Sequence, residues 1–175
     1  SFACLKVGNT IWWIGFSKNY KCLKSSKMKN KKHLIVISTA LIVIFLDQLT
    51  KFLIRKNFQL NESLPIIKNV FHFTYITNTG SAFGLFKGIN PFFILFSIAV
   101  IMVIFYYIQK IKGNERLLQF AVGLLLGGTI GNLIDRLVYG HVIDFIDFRI
   151  WPVFNIADSA VTVSVILLIV SLWKK

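Results

Sequence analysis

Four stretches of this chain are so long and so apolar that water cannot be the solvent around them. They fall at about 34–54, 89–108, 117–136 and 153–173. A helix needs about 20 mainly apolar residues to cross a bilayer core, and each stretch offers that length. The second carries no charge, and the third is uncharged until Asp135-Arg136. The fourth holds Asp158 alone, and the first admits Asp47 and Lys51 only after Leu46. The first stretch continues past any small-residue cleavage site, which argues against a removable leader. The expected architecture is a membrane all-α protein, a bundle of four transmembrane helices.

A net charge of +13 on 175 residues raises nucleic acid as a partner. The placement of the charge argues against it. Eight of the 20 basic residues lie in the first 32 positions, with no acid among them. A basic flank before an apolar helix is the usual cytoplasmic anchor. With four spans both termini share a side. That side collects Lys29, Lys31, Lys32, Lys110, Lys112, Arg116, Lys174 and Lys175, and is expected to be cytoplasmic. No nucleic-acid partner is expected; membrane lipid is.

Residues 1–27 show no usable period, and Met28-Lys29-Asn30-Lys31-Lys32 then leads straight into an apolar run. The expectation is a disordered extension over 1–27 and a single domain over 28–175. Cys4 and Cys22 both fall in the extension, so the domain has neither disulfide nor thiolate site. His33, His72 and His141 are too far apart for a ligand spacing, and no metal or cofactor is expected.

The long loop after the first stretch has texture. Phe71, Phe73 and Tyr75 alternate with His72, Thr74 and Ile76, which predicts a strand ending at the turn Asn78-Thr79-Gly80. A small extracytoplasmic sheet resting on the bilayer follows. In the third stretch Gly123, Gly127 and Gly131 recur every four residues, a spacing that lets helices approach closely.

The seven acids are the informative residues, because charge at membrane depth is costly and its first reading is functional. Asp158 lies about one turn inside the last stretch with no basic neighbour C-terminal to it until Lys174. A helix N-terminal acid favoured by the macrodipole is the competing account. Asp144 and Asp147 both lie in the preceding loop, and a chain reversing near Trp151-Pro152 can bring either to Asp158. Two carboxylates in one site share a proton, so the pair can activate water and protonate a carbonyl. Sequence alone leaves Asp144 and Asp147 open.

Asp47 and Lys51, four apart with the acid first, predict an ion pair on one helix face. Asp135 and Arg136 are adjacent and so need separate partners; Arg136 suits a carbonyl or phosphate-like group. Asn78, Asn132 and Asn155 read equally as caps or as ligands of a substrate backbone. No G-x-S-x-G elbow is present, and no His or Lys stands where it could activate Ser159. Two non-enzymatic readings compete: a proton-coupled carrier, which should show inverted repeats and does not, and an assembly factor packing through the glycine face.

These motifs together resemble the bacterial lipoprotein signal peptidases (signal peptidase II), an aspartic peptidase family. The blocks are Asp47-Gln48-Leu49-Thr50-Lys51, Asn78-Thr79-Gly80-Ser81-Ala82-Phe83, Gly127 through Arg136, Val142-Ile143-Asp144-Phe145 and Phe154 through Ser159. The resemblance covers Met28 to the C-terminus and departs only mildly, at Ser81, where Ala is common. It implies a catalytic dyad of Asp144 and Asp158 rather than Asp147. Asn78, Gly80, Asn132, Arg136 and Asn155 match positions lining the substrate groove; Asp47, Lys51 and Asp135 match positions that maintain integrity. The implied activity is removal of the signal peptide from diacylglyceryl-modified prolipoproteins, just before the lipidated cysteine, at the outer leaflet of the bacterial inner membrane. The resemblance also implies a β-sheet cradle, inhibition by globomycin and no metal. A monomer is expected.

Overall fold

The computed structural model describes the backbone of residues 2–7, 10–15, 17–80 and 90–173, and the side chains of 34–80, 90–171 and 173. Ser81, Ala82, Phe83, Lys87, Lys174 and Lys175 lie outside the described residues, as do the side chains of the N-terminal lysines and cysteines. Strands β1 (Phe2–Val7) and β2 (Thr10–Gly15) pair antiparallel. Helix α1 then runs from Ser17 to Asn57, well upstream of the apolar stretch. No Pro or Gly interrupts those 41 residues, so nothing stops the helix from propagating back through the lysines.

Six further elements position the site. Strands β3 (Ser63–Ile67) and β4 (Phe71–Asn78) follow α1, and β5 (Val142–Asp147) joins them in an antiparallel sheet ordered β3-β4-β5. Helices α2 (Asn90–Ile108) and α3 (Arg116–Tyr139) precede β5, and α4 (Ile156–Trp173) follows it. The segment between α3 and β5 turns at Gly140, whose φ of 75° favours glycine and whose N–H closes the helix on the Arg136 carbonyl. Leu34–Asn57, Asn90–Ile108 and Arg116–Tyr139 are long and apolar enough to cross a membrane. The fourth apolar helix is shorter on that measure, covering Ile156–Ser171. Its predicted start at residue 153 comes three residues too early. Phe154 is spent in a bridge to Ile146, and Asn155 caps the helix.

The burial pattern is inverted relative to a protein in water. Leu41, Phe45, Phe92, Leu95, Phe96, Met102 and Phe105 are exposed, while Asp47, Lys51, Asn132, Asp135, Asp144 and Asn155 are buried. Polar groups go inside when the surrounding medium is hydrocarbon. Helix α3 forms the centre, with α1, α2 and α4 packed around it. One apolar core joins Val36 and Ala40 of α1, Ile104 and Ile108 of α2, and Val122 and Leu126 of α3. A second joins Ile54 to Ile143 and Phe145, seating the sheet on the end of the bundle.

The glycine face of α3 is divided between two neighbours. A Cβ at Gly127 would lie 2.8 Å from the Ala40 carbonyl oxygen, and one at Gly128 would lie 2.5 Å from that of Ala157. Backbone cannot rotate away from such a contact. Gly128→Ala is therefore expected to push the head of α4 outward and to cost about 1–3 kcal/mol of overpacking. Thermal unfolding in detergent would register it as a lowered midpoint, and an unchanged midpoint would contradict the close approach.

Candidate active site

The first turn of α4 is built by two residues that serve each other. Asn155 Oδ1 accepts the Asp158 N–H at 2.9 Å, and the Asn155 N–H donates to Asp158 Oδ2 at 3.4 Å. This reciprocal arrangement satisfies N–H groups that a helix start leaves without partners. Asp158 is thus a helix N-terminal acid, as the competing account held, yet its other oxygen faces inward. Oδ1 accepts from Asn132 Nδ2 of α3 at 2.7 Å.

Asp144 reaches the same place from the sheet. It sits on β5 opposite Ile76 of β4 and is 1% exposed. Its Oδ1 accepts from Asn155 Nδ2 at 2.7 Å and its Oδ2 from Asn78 Nδ2 at 3.0 Å. Asn155 therefore bonds to both aspartates.

All three asparagines have their amides oriented by groups that can only donate. Gly80 N–H fixes Asn78 Oδ1 at 3.0 Å, and Asp158 N–H fixes Asn155 Oδ1. Lys51 Nζ fixes Asn132 Oδ1 at 3.0 Å. Each amide must then turn its NH₂ toward a carboxylate. Of the three, Asn155 caps α4, and all three hydrogen-bond the aspartates.

Beneath them lies a buried ion cluster. Lys51, 2% exposed, pairs with Asp47 Oδ2 and Asp135 Oδ2, each at 2.8 Å. With Asn132 these use all three ammonium protons. Asp47 Oδ1 accepts the Ala157 N–H at 3.0 Å, and Asp135 Oδ2 accepts the Ile143 N–H at 3.1 Å. The cluster thereby ties α1 and α3 to the residues just ahead of both Asp158 and Asp144. Gln48, which sequence reasoning passed over, completes it by donating to Asp135 Oδ1 at 2.9 Å and to the Gly131 carbonyl at 3.2 Å. Its place beside Asp47 in a membrane helix was the available signal.

Asp147 points elsewhere. It accepts from Thr74 and from the backbone and guanidinium of Arg149. Burial works to raise its pKa, but the bonds from Thr74 and Arg149 outweigh it and hold the carboxyl below the usual range. Asp144 shows the opposite balance. Burial first, and then the neighbouring charge of Asp158, push it up to about 7 despite the amide donors. Arg136 lies with its guanidinium 5.1 Å from the Phe93 ring centre, and its Nη1 reaches the Asn132 carbonyl at 3.5 Å. Ser159 is committed to the Asn155 carbonyl at 3.0 Å, consistent with no role as nucleophile.

A cavity of about 620 Å³ opens onto this constellation. Asn78, Gly80, Asn132, Arg136, Asp144 and Asp158 line its polar end, and Phe148, Trp151, Pro152, Val153 and Phe154 form an apolar wall. Among the described residues no group of three His, Cys, Asp or Glu side chains is placed to hold a metal ion. The arrangement offers two adjacent carboxylates, aimed amide donors and one guanidinium beside an apolar trough. That is equipment for acid–base chemistry on a carbonyl.

The chain as a whole is similar to known proteins. The family described as Signal peptidase (SPase) II matches residues 39–174. The lipoprotein signal peptidase of Halothermothrix orenii is 46% identical over 141 residues, covering 81% of this chain and 97% of its own. That of Bacillus subtilis is 50% identical over 137 residues, covering 76% and 89% respectively. A bacterial membrane enzyme solved by the in meso method at 2.3 Å resolution superposes with a TM-score of 0.75 at 37% identity, covering 79% of this chain and 87% of the other. With a match over most of its length, the site in the matched region and relatives of nearly equal extent, the chain belongs to the signal peptidase II family.

Proposed function

We propose that this chain is an intramembrane aspartic endopeptidase that removes the signal peptide from diacylglyceryl-modified prolipoproteins, cleaving before the lipidated cysteine. The observation that carries the reading is the bonding of Asp144 and Asp158 to one asparagine, at the mouth of a trough whose far wall is apolar. Below about pH 7 the pair holds a single proton. The ionised member takes a proton from water, and the resulting hydroxide attacks the scissile carbonyl carbon. The protonated member passes its proton to the carbonyl oxygen. Collapse of the tetrahedral species breaks the C–N bond: the aspartate that took the water's proton gives it to the leaving amine, and the other takes a proton back from a hydroxyl of the diol as the new carboxyl forms, which restores the dyad.

Asn78, Asn132 and Asn155 hold the dyad in register, with Gly80 orienting Asn78. Arg136 lines the cavity and can meet a carbonyl of the bound segment, while Asp47, Lys51 and Asp135 keep the helices in place. The fourth helix completes a four-span topology, α4 being free of charged residues after Asp158. Both termini then face the cytoplasm, the sheet and dyad face the outer leaflet, and residues 28–175 act as a single monomeric peptidase domain embedded in lipid.

A gel-shift assay with a diacylated prolipoprotein tests the reading. The lipidated precursor is expected to be cut, and the same precursor with its acceptor cysteine replaced by serine is expected to remain intact. Equal cleavage of both would remove lipid from the substrate definition. The pH profile is a second check. Asp144 lies near 7, raised by burial and by Asp158, so the dyad's proton is retained below that value and lost above it. Turnover should therefore fall on the alkaline side with an apparent midpoint about 7. A rate still rising well above that midpoint would contradict a shared proton.

A further inference from the structure

Asp147, the neighbour of the dyad on β5, accepts three hydrogen bonds, two from Arg149 of the loop that walls the cavity and one from Thr74 of β4. Asp147 ends β5 and is 4% exposed. Its Oδ1 accepts the Arg149 N–H at 2.8 Å, and its Oδ2 accepts from Arg149 Nη1 at 3.1 Å and from Thr74 Oγ1 at 2.8 Å. Arg149 has a φ of 65°, a left-handed conformation that L residues rarely adopt. The chain turns there, and the next residues are Ile150, which is 93% exposed, and then Trp151, Pro152 and Val153 of the cavity wall.

The clasp is anchored across the whole sheet. Thr74 gives its proton to Asp147, so Ser63 of β3 must donate to Thr74 (2.8 Å), and His72 Nδ1 must donate to Ser63 (3.1 Å). All three strands thus hold one carboxylate, and that carboxylate holds one strained turn.

We propose that Asp147 is a positioning residue for substrate: by clamping Arg149 in its left-handed turn it fixes the apolar wall of Phe148, Trp151, Pro152 and Val153 against which the segment beside the scissile bond binds. This rests on the peptidase reading above. The wall makes contact before and during reaction alike, so loosening it weakens binding without removing the chemistry.

Asp147→Asn keeps an acceptor for the Arg149 N–H but presents an NH₂ to Thr74 and the guanidinium. It is expected to raise KM for the diacylated precursor about tenfold and to leave kcat within about twofold. Arg149→Gly and Arg149→Val make the second pair of arms. Both delete the half-exposed guanidinium, but Gly tolerates the left-handed turn and Val does not. The Gly variant is expected to keep KM within about threefold of wild type, and the Val variant to follow Asp147→Asn. Amide exchange over residues 148–153, measured without substrate, should be about tenfold faster in Asp147→Asn than in wild type. An unchanged KM, a loss confined to kcat, equal behaviour of Gly and Val, or unchanged exchange would each overturn the proposal. Wild-type cleavage of the precursor in the same assay separates failure here from failure of the peptidase reading, and the exchange measurement needs no turnover at all.

Discussion

Asp158→Asn and Asp144→Asn are each expected to lower turnover of the lipidated precursor by roughly a thousandfold or more, the scale of losing a positioned acid or base together with its partner. The fold should survive. An asparagine at 158 keeps an oxygen for the Asn132 amide, and one at 144 keeps an oxygen for Asn155, so most of the bonds at 2.7 Å remain available. What disappears is the ability to hold one proton between two oxygens. Thermal unfolding in detergent distinguishes this from collapse, and both variants should melt close to wild type. Turnover retained in either one, with the protein intact, would end the aspartic mechanism.

Lys51→Met is expected to be the most damaging single change to the fold. Methionine fills the space but leaves Asp47 and Asp135, both 0% exposed, without a cation, and leaves Asn132 Oδ1 without its ammonium donor. Removing one partner of a buried ion pair typically costs about 3–5 kcal/mol, because a desolvated charge remains. Expression of folded protein should fall sharply. The double variant Asp47→Asn/Lys51→Met removes one charge of each sign and restores the original net charge of the cluster. It should recover part of the lost melting temperature, since the amide oxygen introduced by Asp47→Asn can still accept the Ala157 N–H. A double variant no more stable than Lys51→Met would show that charge balance is not what the cluster supplies.

Much of this was written in the chain, and the failures have identifiable causes. The apolar runs placed the apolar helical segments to within a few residues, because hydrocarbon length is a hard constraint, but did not show that α1 continues back to Ser17. The ion pair of Asp47 and Lys51 was legible because i and i+4 share a helix face. Its third member, Asp135, was not, since nothing local says that α1 meets α3 at that height. Strand β5 was missed for a different reason. Five of its six residues are buried, so it lacks the polar-out alternation that marks a strand. Strand β3 was hidden by Pro65, which the structure tolerates because β3 is an edge.

The choice between Asp144 and Asp147 was beyond the residues themselves. The two are three apart on a strand whose pairing with β4 is irregular between Phe73 and Ile76, so strict alternation does not say which face either takes. The family resemblance favoured Asp144. In the structure Thr74 and Arg149 occupy Asp147, whereas Asp144 shares Asn155 with Asp158.

The reciprocal bonding of Asn155 and Asp158 has a consequence for how the molecule comes to life. The carboxylate proposed to do chemistry is also a fastening that starts its own helix, and Asn155 reaches across to the other carboxylate. A nascent chain whose last segment has not docked would lack both the fastening and the dyad. Hydrolytic competence would then arrive in one step with the final packing event, and a half-assembled molecule in a crowded membrane would be harmless to its neighbours.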